Sequence, residues 1–202
     1  MRLIFINLYL KARPKKEIDN MKTIEIPEPK ISRFLFSDTR FAWFWLLVRV
    51  YIGWQWLLAG EEKLTSAAWV GSAAGSAIKG FFLGALQQAG GIHPNVSGWY
   101  AYFIQNIALP NAALFSYLVT YGELVVGLAL IFGIFTGIAA FFGAFMNLNY
   151  LFAAAVSINP LMLLLEMFLI LAWRTAGWIG ADYYLLPMVG VPWQTGKLFH
   201  KR

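Results

Sequence analysis

Long uncharged runs decide what this chain can become. From Phe41 to Gly60 it reads FAWFWLLVRVYIGWQWLLAG, twenty residues with one charge. Comparable runs follow at about 113–134, 137–156 and 161–179. Each matches the roughly 20 residues a helix needs to cross a hydrocarbon core of about 30 Å. Trp43 and Trp45 sit at one end of the first run, Trp54 and Trp56 toward the other, where interfacial anchors belong. With 59% hydrophobic and 13% charged residues, the balance is not that of a soluble domain. The expectation is an all-α integral membrane protein, a four-transmembrane-helix bundle over residues 41–180 with spans at about 41–60, 113–134, 137–156 and 161–179.

The segment 61–112 between the first two runs mixes small, aromatic and polar residues, and no part of it is long and apolar enough to span. It predicts an outer insert of two short interfacial helices, separated by the GGIHPN loop at 90–95. Phe135-Thr136-Gly137 makes a very short turn. At Ser157-Ile158-Asn159-Pro160, Asn159 is placed to cap a helix with Pro160 at its first position. Short connections make the last three spans antiparallel neighbours. Gly71/Gly75, Gly80/Gly84 and Gly133/Gly137 are small-xxx-small pairs that permit close helix approach.

Basic residues gather at the chain ends: nine of the sixteen precede residue 41, and Lys197, Lys201 and Arg202 close the sequence. This bias predicts both termini on the cytoplasmic face of the plasma (inner) membrane, as an arm over 1–40 and a tail over 181–202. It also accounts for the net charge of +6 without nucleic acid as a partner. Residues 1–20 read either as an upstream extension or as a segment lying on the headgroups, and carry no signal-peptide cleavage pattern. Without cysteine, the chain cannot supply thiolates to zinc or an iron–sulfur cluster. Its two histidines, His93 and His200, fall outside the apolar runs, so no haem or metal is expected. A redox role would need a diffusible carrier.

Four ionisable residues fall inside the runs: Arg49, Glu123, Glu166 and Arg174. Each is costly in hydrocarbon and should face the protein interior or an interface. Counting at 1.5 Å per residue from the run ends puts Arg49 and Glu123 within a few Å of the midplane, where they are expected to pair. Two readings stay open. The pair is a register pin, or it is a site in which a carboxylate beside an arginine handles the protons of a quinone, with Asn147, Asn149, Tyr121 and Tyr150 as contacts. Asn147 and Asn149 are two apart and cannot share a neighbour, so at least one reads as interhelical glue. Arg174, beside Trp173 and Trp178, reads as an interfacial anchor. Glu61, Glu62 and Lys63 read as a solvated helix end, and Asp182 as a surface cap.

The runs RVYIGWQWLLAGEEKL (49–64), GELVVGLALIFGIFTGIAAFFGAFMNLNYLFA (122–153), NPLMLLLEMFLILAWRTAGWIGADYYLLP (159–187) and GVPWQTGK (190–197) resemble the DoxX/DoxD family of small membrane proteins. The third run is similar to the DoxD branch in particular. That resemblance implies a membrane subunit of a thiosulfate:quinone oxidoreductase, which oxidises thiosulfate to tetrathionate, reduces a membrane quinone and works with a second small subunit. It points to Arg49, Gly122, Glu123 and Leu124 as family features, while Glu166 stands outside it and leaves a partner contact open. The rival expectation is a non-catalytic accessory or scaffold subunit of a larger respiratory or photosynthetic complex. A transporter or lipid-binding protein is a third class.

Overall fold

The computed structural model describes residues 28–190, and among them the protein is all-helical. The arm before residue 28 and the tail after 190, on which the expected cytoplasmic placement of both termini rests, lie outside the described residues. A short helix, α1 (Lys30–Ser37), leads through a tight turn into α2 (Ala42–Leu64). Asp38 caps that turn: its carboxylate accepts from the Arg40 side chain and backbone amide, which hold its pKa down at about 2. The insert supplies α3 (Ser76–Gln87) and α4 (Gly98–Phe103), the latter continuing through a wide π turn at Ile104–Ala108. Then come α5 (Ala112–Phe132), α6 (Thr136–Phe152), α7 (Asn159–Leu171), α8 (Trp173–Ala176) and α9 (Asp182–Val189).

Two helices, Thr39–Leu64 and Ala112–Phe132, are long and apolar enough to cross a membrane. Thr136–Phe152 and Asn159–Leu171 are apolar but shorter. The expected boundaries move in three places. The first helix runs on to Leu64, so Glu61, Glu62 and Lys63 belong to its last turn. The third stops at Phe152, because Ala154 (φ 61°) and Ser157 (φ 37°) turn the chain through left-handed backbone. The fourth stops at Leu171 instead of 179, since the residues beyond it are drawn elsewhere. Thr175 bonds to the Phe36 carbonyl of α1, and Ala181 and Asp182 donate backbone amides to the carbonyls of Phe132 and Gly133. Asn159 is the first residue of α7 rather than its cap; its side chain donates back to the Ala155 carbonyl, 2.7 Å away, and Pro160 follows as expected.

The α2–α5 pair is the most extensive contact in the fold. It rests on glycines. A Cβ on Gly53 would lie 2.9 Å from the Gly127 carbonyl oxygen, and one on Gly127 2.8 Å from the Leu57 amide. Gly60 meets Leu124 just as closely. Backbones this near leave no room for side chains, and they set an antiparallel register with Gly53 beside Gly127 and Gly60 beside Leu124. By contrast Gly80 and Gly84 of α3 face open space, so that pair brings no helix close.

Two apolar clusters flank this spine. One joins Trp45, Ile52 and Trp56 of α2 to Val126 and Leu130 of α5 and to Ala140 and Leu169. The other gathers the insert, Ile78, Phe82, Val96, Tyr100 and Ile104, against Ala112 and Ala153. The insert is thus a folded cap over one end of the bundle.

Gly127→Leu is expected to lower stability by about 1–3 kcal/mol, since the new side chain must push α2 off α5. Gly80→Leu should stay within about 0.5 kcal/mol of wild type. Unfolding of the two variants in detergent, followed by circular dichroism, checks both.

Candidate functional site

The α2–α5 register decides where the buried charges fall. Glu123 lies one turn before Gly127 on the same face of α5, and this brings it level with the last turn of α2. There the Lys63 ammonium is 2.8 Å from Glu123 Oε2, and the Tyr150 hydroxyl of α6 donates to Oε1 at 2.5 Å. Glu123 is 1% exposed and the Lys63 side chain 17%. Lys63 also lies over the Trp69 ring, 5.2 Å from its centroid, as a cation does on an aromatic face. The carboxylate is thus held at both oxygens, Oε2 by the Lys63 ammonium and Oε1 by the Tyr150 hydroxyl.

Arg49 and Glu123 therefore do not pair. Fourteen residues of α2 separate Arg49 from Lys63, about 21 Å along the axis. The depth count failed because it matched the ends of apolar runs, whereas α2 extends past its run and glycine contacts set the register. Arg49 is buried at the opposite end, where Nη2 donates to the Ile179 carbonyl at 2.7 Å. Gly133 and Gly180 make room for its guanidinium; a Cβ on Gly180 would come 2.9 Å from Nη1. Asp182 is the opposing charge that acts on it. Both Asp182 oxygens are themselves engaged, accepting the amides of Phe135 (2.6 Å) and Thr136 (2.7 Å) at the start of α6. That carboxylate steadies Phe135 in left-handed backbone (φ 44°), a conformation that costs a β-carbon residue about 1–2 kcal/mol. Arg49 and Asp182 clasp the α5–α6 turn.

A cavity of about 940 Å³ lies between α2, α5, α6 and the insert. Lys63, Glu123 and Tyr150 line it, with Gln55, Tyr100, Asn149 and Asn159 as further polar groups. Almost everything else in the wall is apolar. From Gly122 it follows α5 to Ile134, Phe135 and Ile138 near the α5–α6 turn, about 18 Å along the helix. The Tyr100 hydroxyl donates to the Asn149 backbone and side-chain oxygens at 3.0 and 3.2 Å, and burial pushes its pKa up to about 12. It stays a neutral donor.

Of the contacts expected from sequence, Glu123, Asn149 and Tyr150 line this cavity. Tyr121 is half exposed and stacks on Tyr117, outside it. Asn147 lies behind the wall and donates to Glu166 Oε2 at 2.7 Å, while the Trp56 indole donates to Glu166 Oε1 at 2.7 Å. Asn147 is thus interhelical glue. Lys63 is the residue that sequence reasoning undervalued. A signal for Lys63 existed: Gly53, Trp56, Gly60 and Lys63 fall at helical spacing on one face, so the buried stripe of α2 leads straight to it. Among the described residues, no three His, Asp or Glu are grouped to hold a metal.

Fold and site together define a helical membrane protein with a long apolar cavity and one charged end. The model of the DoxX family matches residues 44–158, more than half of the chain, and the protein belongs to that family. The matched segment runs from α2 through α6 and contains Lys63, Glu123 and Tyr150. The chain matches none of the curated proteins or solved structures with which it was compared.

Lys63→Met leaves the Glu123 carboxylate buried without its cation and should cost roughly 3 kcal/mol. Adding Glu123→Gln should restore much of that loss. The same cycle between Arg49→Met and Glu123→Gln should show coupling below about 0.5 kcal/mol. Unfolding free energies in detergent measure both cycles.

Proposed function

We propose that this DoxX-family protein binds an isoprenoid quinone in the cavity and is the membrane subunit of a quinone-linked oxidoreductase. The observation that carries the reading is the shape and chemistry of the cavity. A quinone pairs a long apolar tail with a small head bearing two oxygens, and the cavity pairs a long apolar trough with Lys63, Glu123 and Tyr150 at one end. Glu123 Oε2, with the Lys63 ammonium on one lone pair, keeps a second that suits a hydroxyl of the reduced head. In this reading the Lys63 ammonium offers positive charge to a head oxygen. Glu123 accepts or returns a proton at Oε2, and Tyr150 holds that carboxylate in place through Oε1. The apolar wall excludes water.

The electron donor in this proposal is thiosulfate, on the resemblance to the DoxD branch. Two thiosulfates join as tetrathionate and release two electrons, which with two protons convert the quinone to its quinol. A second small subunit would hold the donor, since the outward basic residues Lys79 and Lys63 are too few to gather an anion. All four apolar helices would be embedded, in the plasma membrane and with both termini cytoplasmic.

A second reading, an accessory subunit that only scaffolds a larger complex, draws on Arg49, Asp182 and Glu166. Each of these buried charges is committed to holding helices together.

The test is thiosulfate-dependent quinone reduction by the protein purified with its attached partners. Glu123→Gln is expected to lower the rate at least about 100-fold while leaving the fold intact. Full activity in that variant would refute the assignment. Absence of activity in the wild-type complex would favour the scaffold.

A further inference from the structure

The distribution of ionisable groups along the cavity is one-sided. At the end where α2 finishes, Lys63 and Glu123 line the wall, and Glu61 and Glu62 are exposed beside them. At the other end, near the α5–α6 turn, the wall is Ile134, Phe135, Ile138, Ala139 and Phe142. The charged groups of that region do not line the cavity. Arg49 is bonded to the Ile179 carbonyl, both Asp182 oxygens are taken by α6 amides, and the Arg174 guanidinium lies against Trp173. Behind the middle of the wall, Glu166 is closed off by Trp56 and Asn147.

We propose that Lys63 and Glu123 form a proton path that opens to water only on the side of the α2 C-terminus. The proposal rests on the membrane-embedded reading above and deepens it by fixing the side on which the site exchanges protons. The Lys63 ammonium passes a proton across 2.8 Å to Glu123 Oε2. Glu123 delivers it to a head oxygen of the quinone proposed above. The Lys63 amine then regains a proton from water, to which its partial exposure gives access. One proton has moved and both side chains are back in their starting states.

Tyr150 is a positioning residue in this scheme, because its hydrogen bond to Oε1 turns Oε2 toward Lys63. The other titratable or charged groups near Glu123 are few. Glu62 acts on it from α2, Tyr100 of α4 acts on Tyr150, and Glu166 of α7 sits behind Trp56. Lys79 of α3 is exposed and outside the wall.

The test uses dicyclohexylcarbodiimide, an apolar reagent that couples to protonated carboxyls, on the full chain in phosphatidylcholine vesicles. The chain has no cysteine, so Glu61→Cys with a membrane-impermeant maleimide reports which way each preparation is oriented. The pH is set separately inside and outside, and labelling of Glu123 is followed by peptide mass spectrometry. Raising the pH by one unit on the Lys63 side should slow labelling by up to about tenfold. The same change on the opposite side should leave it unaltered. Labelling that follows the opposite side or both sides equally, or that never occurs at any pH, overturns the proposal. No quinone or donor is present in this experiment. A failure to bind quinone would therefore sink the proposed function and leave this result standing, and the reverse outcome is equally readable.

Discussion

The contact of Gly53 with Gly127 is the constraint on which the rest depends. Two backbones pressed to about 2.9 Å from a notional Cβ admit one register, and that register carries every charge on α2 and α5 to its partner. Slide α5 by one turn, and Glu123 leaves Lys63 while the α5–α6 turn leaves Arg49. The contact joins two spans by close van der Waals packing, which is how helices associate where lipid is as apolar as leucine. Ser116, Thr120 and Glu123 are buried along that same side of α5, with Gly127 and Leu130 continuing the stripe.

The protein handles its buried charges in three ways. Arg49, through Nη2, and Asp182 make backbone hydrogen bonds that close a tight turn, and Glu166 ties α7 to Trp56 and Asn147. Glu123 differs from both. It faces a cavity, and its cation is partly exposed. The cavity-facing placement and the partly exposed partner set Glu123 apart from the other two arrangements.

Much of this was legible in the residues. Uncharged runs located all four apolar helices, and the mixed composition of 61–112 marked the insert as something other than a span. The choice of Glu123 as a chemically interesting carboxylate also came from sequence. Its partner did not, because pairing depends on register, and register came from glycines at 53, 60 and 127 whose role shows only when two helices are laid together. Lys63 looked like a solvated end because the apolar run stops at Gly60, yet the helix continues and carries it onto the buried face. The early end of α7 was hidden for a similar reason. Residues 172–182 are apolar enough to continue a helix, but Thr175 and Asp182 bind other elements and break it there.

The central claim is that a quinone head sits between Lys63, Glu123 and Tyr150 with its tail along α5 and α6. Photo-crosslinking with an azido-quinone, mapped by peptide sequencing, tests it most directly. The account predicts adducts on α2 near Ala59, on α5 at 118–126 and on α6 at 145–150, all competed away by unlabelled quinone. Adducts confined to α7 through α9, or to the surroundings of Arg49, would contradict it.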